Sequence, residues 1–469
     1  MKIYYLGEAI ENPVDHPVIK ASINSVALTY EFAQDPEFRD VMTATSALSG
    51  KTINRFCHLH QGTEDLQSKV RMLRLLGQRT GTCFQRCVGM DAINAVYLTT
   101  FEIDQHHGTD YHQKFIEYVK FIEDADLVVD GCMTDAKGDR GKHPAEQPDP
   151  DAYLHVVQRR DGGIVIRGAK LHQTGAVNSH EILVMPTEKL REGEEDYAVC
   201  CAVPADAEGL VYLYGRQASD ARRLDTTEGG DIDCGNPEFG GQECTIVFND
   251  VFVTSDRVFM DGEIEFTGLL VEAFAAYHRQ SYGGCKVGVG DVLIGAAADI
   301  AEYNGVADAS HVKDKITEMN HLNETLFACG IACSACGTKT SAGNYLVDML
   351  LANVCKQNVT RFPFEIARLL QDIAGGLFVT CPSAKELANP ETREIVEKYL
   401  LGASGTDATD RLKMLRLIEN LVLGRAAVGY LTESMHGAGS PQAQRIMINR
   451  LVDMEQKKEL AKKLARISG

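Results

Sequence analysis

Two cysteines, Cys83 and Cys87, stand four residues apart in TCFQRC, and a histidine and a third cysteine, His278 and Cys285, stand seven apart in AYHRQSYGGC. Together they offer three thiolates and one imidazole, a complete four-ligand metal shell. An all-cysteine shell normally holds a cluster that moves electrons. A shell with one weaker nitrogen ligand can free a basic group beside an iron atom. If the first pair lies on a helix, its two side chains share one face with Cβ atoms ~6 Å apart, which suits adjacent irons of a cubane. A lone CxxxC pair is far more often two core cysteines, however, and a lone histidine a hydrogen-bonded core residue. A denser rival exists in CGIACSAC, where Cys329, Cys333 and Cys336 fall on one stripe of an apolar helix beside Phe327 and Ile331. Spacing alone does not choose between the two groups.

Three compositional zones must position these residues. The first, 1–124, is mostly helical: in VRMLRLLGQ (70–78) and YHQKFIEYVKFIED (111–124) apolar residues recur at helical spacing. From 125 to 260, short β-rich runs such as ADLVVDG, GGIVIRGAK, YAVCCAV and CTIVFNDVFV alternate with Gly, Asp, Pro and Glu clusters, predicting a compact β domain. From 261 to 469 long helices return, one over HVKDKITEMNHLNETLFACGIACSA and another interrupted near Pro363. The C-terminal MEQKKELAKKLARISG reads as a solvated amphipathic helix. There is no GxGxxG opening a βαβ unit, and the glycines of KVGVGD (286–291) are expected to serve helix packing.

The totals bound the class. A chain of 469 residues, 44% hydrophobic and 24% charged, is an ordinary globular protein. The net charge of -19 argues against nucleic acid or an anionic membrane as a partner. An anionic substrate such as a coenzyme A ester therefore needs a locally basic pocket. No apolar run reaches the ~18 residues of a membrane span and no secretory signal opens the chain, so a cytoplasmic protein is expected, its 14 cysteines reduced thiols.

Helices, then β domain, then helical bundle is the order of the acyl-CoA dehydrogenases, an α+β architecture, and local motifs add to the likeness. CMTDAKGDRG (132–141) resembles the loop those enzymes hold against the flavin; the likeness implies FAD contacts from Met133, Thr134, Asp135, Lys137, Gly138, Asp139 and Arg140. RGAKLHQTGA (167–176) resembles their Gly-x-Lys-x-x-x-Thr strand edge and adds His172, Gln173 and Thr174. Arg279 in RQSYG and Gln371, Gly375 and Gly376 in QDIAGG resemble two elements that reach a neighbouring subunit's flavin. The resemblance thus implies a homotetramer, a dimer of dimers.

The runs LLGQRTGTCFQRCVGMDA, GGQECTIVF, AYHRQSYGGCKVGVGD, NVCKQNVTRFPFE and TESMHGAGSPQAQR closely resemble the 4-hydroxybutyryl-CoA dehydratases, [4Fe-4S] and FAD enzymes that share their fold with the 4-hydroxyphenylacetate hydroxylases. The likeness covers nearly the whole chain, departing in a shorter N-terminus and an abbreviated 384–410 segment. It implies cluster ligands Cys83, Cys87, His278 and Cys285, and leaves the 329/333/336 trio structural. It also implies the family's chemistry: C2 deprotonation, flavin-coupled ketyl radical formation, loss of the 4-hydroxyl to give crotonyl-CoA, and isomerisation of vinylacetyl-CoA. His278 becomes the candidate C2 base, Glu243 and Glu433 carboxylates for the leaving hydroxyl, and Tyr282 and Lys286 hydrogen-bond donors beside them. A flavin monooxygenase acting on an aromatic substrate is the alternative on the same fold, and needs no iron.

Overall fold

The computed structural model describes residues 1–216 and 232–467. The β domain holds a six-stranded and a four-stranded sheet. Its strands are β1 (Ile3–Tyr5), β2 (Glu8–Ile10), β3 (Val129–Cys132), β4 (His155–Arg160), β5 (Gly163–Thr174), β6 (Glu181–Val184), β7 (Val199–Pro204), β8 (Leu210–Tyr214), β9 (Glu243–Thr254) and β10 (Val258–Asp261). The first sheet runs β2-β1-β8-β9-β5-β4 and the second β10-β7-β6-β3. Inward residues of both, among them Ile166, Ile246 and Phe248 from one and Ile182, Val184 and Cys201 from the other, form one apolar core. Alternate residues of each strand face that core, as a two-layer packing requires. The first ten residues, grouped with the N-terminal helices by composition, instead enter this domain: Ile3 pairs with Tyr212 in a parallel ladder. A three-residue strand is too short to read from periodicity.

Helices flank the sheets on both sides in sequence: α1 (Pro17–Gln34), α2 (Thr63–Thr80), α3 (Cys87–His107) and α4 (Tyr111–Ala125) before, and α5 (Ile264–Tyr303), α6 (Ser310–Ala335), α7 (Met349–Val359), α8 (Phe362–Ala374) and α9 (Ala408–Val422) after. Pro363 sits in the first turn of α8, where its missing N–H costs nothing, so the expected interruption is a helix start. The C-terminal helix Met454–Leu464 buries no residue.

The axis of the molecule is α5, 40 residues long. Its glycines let α2 come to backbone contact: a Cβ on Gly288 would lie 2.1 Å from the Arg74 carbonyl oxygen, and one on Gly284 2.4 Å from that of Val70. KVGVGD is thus a helix-crossing surface. The crossing fixes the C-terminal end of α2, and the loop that follows it, against Cys285.

A candidate cluster and carboxyl-pair active site

Four functional side chains project from one stripe of α5. His278, Tyr282, Cys285 and Lys286 stand at i, i+4, i+7 and i+8, the spacing of a single helical face. Cys83 and Cys87 approach them from outside. They do not share a helical face as the four-residue spacing predicts. Cys87 opens α3, while Cys83 sits in the α2–α3 connection, broken by Gln85 at φ 72°. A non-glycine residue in this left-handed region is held by its surroundings. Gln85 is fully buried, donates to the carbonyls of Ser22 and Gly240, and accepts from Asn178 at 2.7 Å. The loop is therefore pinned between α1 and the β domain.

Burial first raises all three thiols; the Glu433 charge comes next among the causes that raise Cys83 and Cys285, and the Cys83 and then Cys285 sulfurs for Cys87. Three neighbouring thiols, Cys87 buried and Cys83 and Cys285 partly so, become thiolates readily only if a cation joins them. The donor set fits an iron–sulfur cluster. Its sulfurs are not crowded as around a single ion; among the described residues the donors that do lie within 4.8 Å of one another are the exposed His106, His107 and Glu265. The rival trio scatters, with Cys333 buried and donating to the Gly330 carbonyl and Cys336 exposed.

His278 Nδ1 lies 2.8 Å from Asp91 Oδ2. Asp91 is buried one turn beyond Cys87 on α3, and burial works against its charge. Lys69 and His278 outweigh that cost and bring its pKa below the ordinary value. Lys69, itself buried, donates to Asp91, to Gln280 Oε1 at 2.9 Å and to the Tyr277 carbonyl at 3.0 Å. An ionised Asp91 accepts the Nδ1 proton, which leaves the lone pair of His278 on Nε2. Neither Asp91 nor Lys69 was singled out in the sequence. Their signal is a charge on the apolar face of a helix, at Leu66-Lys69-Val70-Leu73 and Cys87-Asp91-Asn94.

The second half of the site is a carboxyl pair. Glu243 begins β9 directly opposite Thr174, the last residue of β5. Thr174 Oγ1 lies 2.8 Å from both Glu243 oxygens. Glu433 follows a π-helical turn, Val428–Thr432, and its Oε2 meets Lys286 Nζ at 3.0 Å. Burial and then the Glu433 charge push the Glu243 pKa well above the carboxylate range. For Glu433 burial opposes the charge, but Lys286 and a hydrogen bond from Glu243 prevail and lower its pKa. The two shifts run in opposite directions, so a proton on the pair is favoured on Glu243 over Glu433. Gly429 lies between the halves: a Cβ there would stand 3.6 Å from both Glu433 carboxylate oxygens and 3.8 Å from the Cys83 Cβ. The Tyr282 ring stands edge-on to His278, centroids 5.2 Å apart, with Lys286 Nζ 5.1 Å and Lys356 Nζ 4.7 Å from its own centre. Lys356 is a further residue the sequence did not flag.

The expected flavin loop and strand edge are joined. The Leu171 N–H donates to the Thr134 carbonyl at 2.7 Å, and Lys170 bridges to Asp135 at 2.9 Å and to the Met133 carbonyl. Asp135 also accepts from Thr187 and from the Leu154 N–H, so its carboxylate is spent inside the protein. Asp139 accepts from the Gly141 N–H and Gln173 donates to the Leu171 carbonyl. A Cβ on Gly138 would meet Gln147 at 2.5 Å. Lys137 and His172 both adopt positive φ, at 70° and 59°. His172 is lowered by burial and then chiefly by Lys137; with Arg140 also near, the two basic side chains fit an anionic ligand such as FAD. Arg279 turns inward, its guanidinium on Asn353 and the Ala438 carbonyl, and it is buried in its own chain. Gln371 stays on α8 near its Ala367 carbonyl, and Gly375 and Gly376 are exposed with open space around them.

This fold and site belong to the 4-hydroxyphenylacetate 3-hydroxylase family, whose N-terminal model matches residues 1–260 and whose C-terminal model matches 267–466. Within it the chain is a member of the 4-hydroxybutyryl-CoA dehydratase group. It is 60% identical, over 99% of its length and 96% of the relative's, to the 4-hydroxybutyryl-CoA dehydratase/vinylacetyl-CoA-Delta-isomerase of Clostridium aminobutyricum. An oxygen-tolerant archaeal 4-hydroxybutyryl-CoA dehydratase from N. maritimus superposes with a TM-score of 0.97 at 56% identity, covering all of this chain and 93% of that one. The oxygenase component of 4-hydroxyphenylacetate 3-monooxygenase, solved with FAD, shares the fold with a TM-score of 0.85 at 23% identity, over 99% and 95% of the two chains. Butyryl-CoA dehydrogenase of Megasphaera elsdenii shares it more distantly, at 0.52 and 11% over 92% and 97%. The acyl-CoA dehydrogenase-like α+β fold is thereby established.

Proposed function

We propose that this protein is a [4Fe-4S]- and FAD-dependent enzyme that dehydrates 4-hydroxybutyryl-CoA to crotonyl-CoA and isomerises vinylacetyl-CoA to the same product. The observation that carries the proposal is the meeting of three thiols and His278 with the Glu243 and Glu433 carboxyls and Lys286. When bound by Cys83, Cys87, His278 and Cys285, the cluster supplies a Lewis-acidic iron for the substrate hydroxyl, and FAD, along the 133–140 loop and 172–174 edge, supplies reversible one-electron chemistry.

The protein's own groups divide the proton work. His278 takes the C2 proton at Nε2, because Asp91 occupies Nδ1 and favours the resulting imidazolium; the same nitrogen would be the cluster ligand, so it would exchange coordination for the proton. The C2 hydrogen is the acidic one, lying beside the thioester carbonyl. A second proton must leave C3, and of the two protons released one goes to the departing hydroxyl and one to C4, which becomes the methyl group of crotonyl-CoA. Glu243, neutral and oriented by Thr174, donates its proton to the departing 4-hydroxyl, which leaves as water. Glu433, held ionised by Lys286, stabilises the pair before the transfer and can share the return proton after it. Tyr282 and the buried walls around it exclude water from the same space.

We further propose a cytoplasmic homotetramer, a dimer of dimers. Its support is the family alone, since Arg279 is engaged within its own subunit. Among the described residues no helix is long and apolar enough to cross a membrane. The monooxygenase alternative rests on the shared fold at 23% identity. It gives no role to three converging thiols.

Anaerobic purification followed by iron, acid-labile sulfide and flavin analysis, with turnover of 4-hydroxybutyryl-CoA, tests the proposal. Four irons and four sulfides per chain with crotonyl-CoA formation are expected. An iron-free protein that hydroxylates a phenol with reduced flavin and oxygen would overturn it.

A further inference from the structure

We infer that Lys356 is a positioning residue for Glu433: with Lys286 it clamps the two ends of the π-helical turn that presents this carboxylate to the leaving group. The inference rests on the role proposed above for Glu433. Lys286 Nζ donates to the Gly429 carbonyl at 2.5 Å, near the start of the Val428–Thr432 turn, and Lys356 Nζ donates to the carbonyl of Ser434, just past its end. The two ammonium groups thus stand at opposite ends of one turn, both over the Tyr282 ring, with Glu433 between them.

A π turn is wider than an α turn and is rarely stable without outside partners. Here those partners are long side chains from two other helices, α5 and α7. The Ser434 hydroxyl closes the turn internally by donating to the Tyr430 carbonyl. Beyond it the chain runs hard against Tyr282: a Cβ on Gly437 would fall 1.8 Å from the tyrosine oxygen. The segment is therefore gripped at 429, 434 and 437.

Lys356 is fully buried, and among the described residues no carboxylate lies within ion-pair distance of its ammonium. Burial first, then Lys286 and Arg279, drag its pKa down to about 7. A lysine kept in such surroundings is costly, and a leucine or methionine would fill the space more stably. What the ammonium provides that an apolar residue cannot is the bond to the 434 carbonyl. Its hydrogen bond goes to the backbone one residue past Glu433, so its influence on that carboxylate passes through the turn.

The test exploits a difference between the two reactions. Isomerisation of vinylacetyl-CoA begins at C2 and has no hydroxyl to expel, so a fault at Glu433 weighs on dehydration most. Lys356→Met, purified with iron, sulfide and FAD verified, is expected to lose dehydratase kcat at least tenfold more than isomerase kcat, with KM little changed. Glu433→Gln should show the same imbalance, and Lys356→Arg, which keeps a donor, should recover part of it. A proportional loss of both reactions in Lys356→Met, alongside an imbalance in Glu433→Gln, overturns the inference. If Glu433→Gln itself loses both equally, the reading of Glu433 fails. Lys356 is then judged by the double variant, whose C2 exchange should be no slower than that of Glu433→Gln alone; an added loss overturns it. Should Lys356→Met not fold, Lys356→Arg carries the test, with the same imbalance at smaller amplitude and a proportional loss as the overturning result.

Discussion

His278 Nδ1 and Asp91 Oδ2 lie 2.8 Å apart, joining the α5 stripe to the helix that begins at Cys87. The bond decides which ring nitrogen is free. It also couples the thiol-bearing segment to the residue proposed as base.

Replacing Asp91 by Asn keeps the shape and removes the charge. We expect C2 hydrogen exchange into deuterated solvent to fall by ~10–100-fold, the usual cost of losing such a partner. Iron should bind more weakly, read as faster loss to a chelator. Wild-type exchange and chelator resistance together would show that Asp91 does not govern the imidazole.

Removing any one of the thiols, as Cys83→Ala, Cys87→Ala or Cys285→Ala, should cost the cluster and activity together. His278→Cys supplies a substitute thiolate, so iron should stay while dehydration, isomerisation and C2 exchange all fail. Iron analysis beside an exchange assay separates the two outcomes. Exchange at the wild-type rate in an iron-loaded His278→Cys protein would move the base elsewhere, with Glu433 next in line.

The carboxyl pair predicts a bell-shaped pH dependence of dehydratase kcat. Activity is present above the lowered pKa of Glu433, where it is ionised, and lost as pH falls through it. On the other side it is lost as pH rises through the raised pKa of Glu243, where the acid gives up its proton. Glu243→Gln removes the donor and should flatten the alkaline limb at a rate ~10²–10⁴-fold lower. An unchanged alkaline limb in that variant would assign it to another group.

Asp130 lies inside the β domain with neither carboxylate oxygen bonded, and burial raises its pKa to about 8. Between the ordinary carboxylate pKa of ~4 and that value, the unfolded chain is ionised while the folded one keeps the proton. Folding stability therefore falls as pH rises through this window, by on the order of several kcal/mol in total. Asp130→Asn should raise the melting temperature more at pH 8 than at pH 5. An equal change at both pH values would mean the carboxyl is solvated.

Much of the site was legible in the residues themselves. The i, i+4, i+7, i+8 stripe of His278, Tyr282, Cys285 and Lys286 is fixed by helix geometry once an uninterrupted helix is read there. The helical, β, helical order follows from periodicities that tertiary contacts did not override. Glycines in KVGVGD announced a close crossing because nothing else lets backbones touch.

Other features arose only in three dimensions. Four-residue spacing would give Cys83 and Cys87 one face if a helix ran through both, but buried contacts of Gln85 with α1 and the β domain hold the chain out of a helix between them. Residues 3–5 joined a sheet more than 200 positions away, a pairing no local pattern encodes. Glu243 and Glu433 are two acids far apart in the chain, and their spacing carries no sign that a proton favours one over the other. That property comes from burial in one space with a single lysine. Asp91, Lys69 and Lys356 are ordinary charges in the sequence. Each acquires its role because the fold closes over it and brings the deciding partner within reach: an imidazole for Asp91, a carboxylate for Lys69, a backbone carbonyl for Lys356.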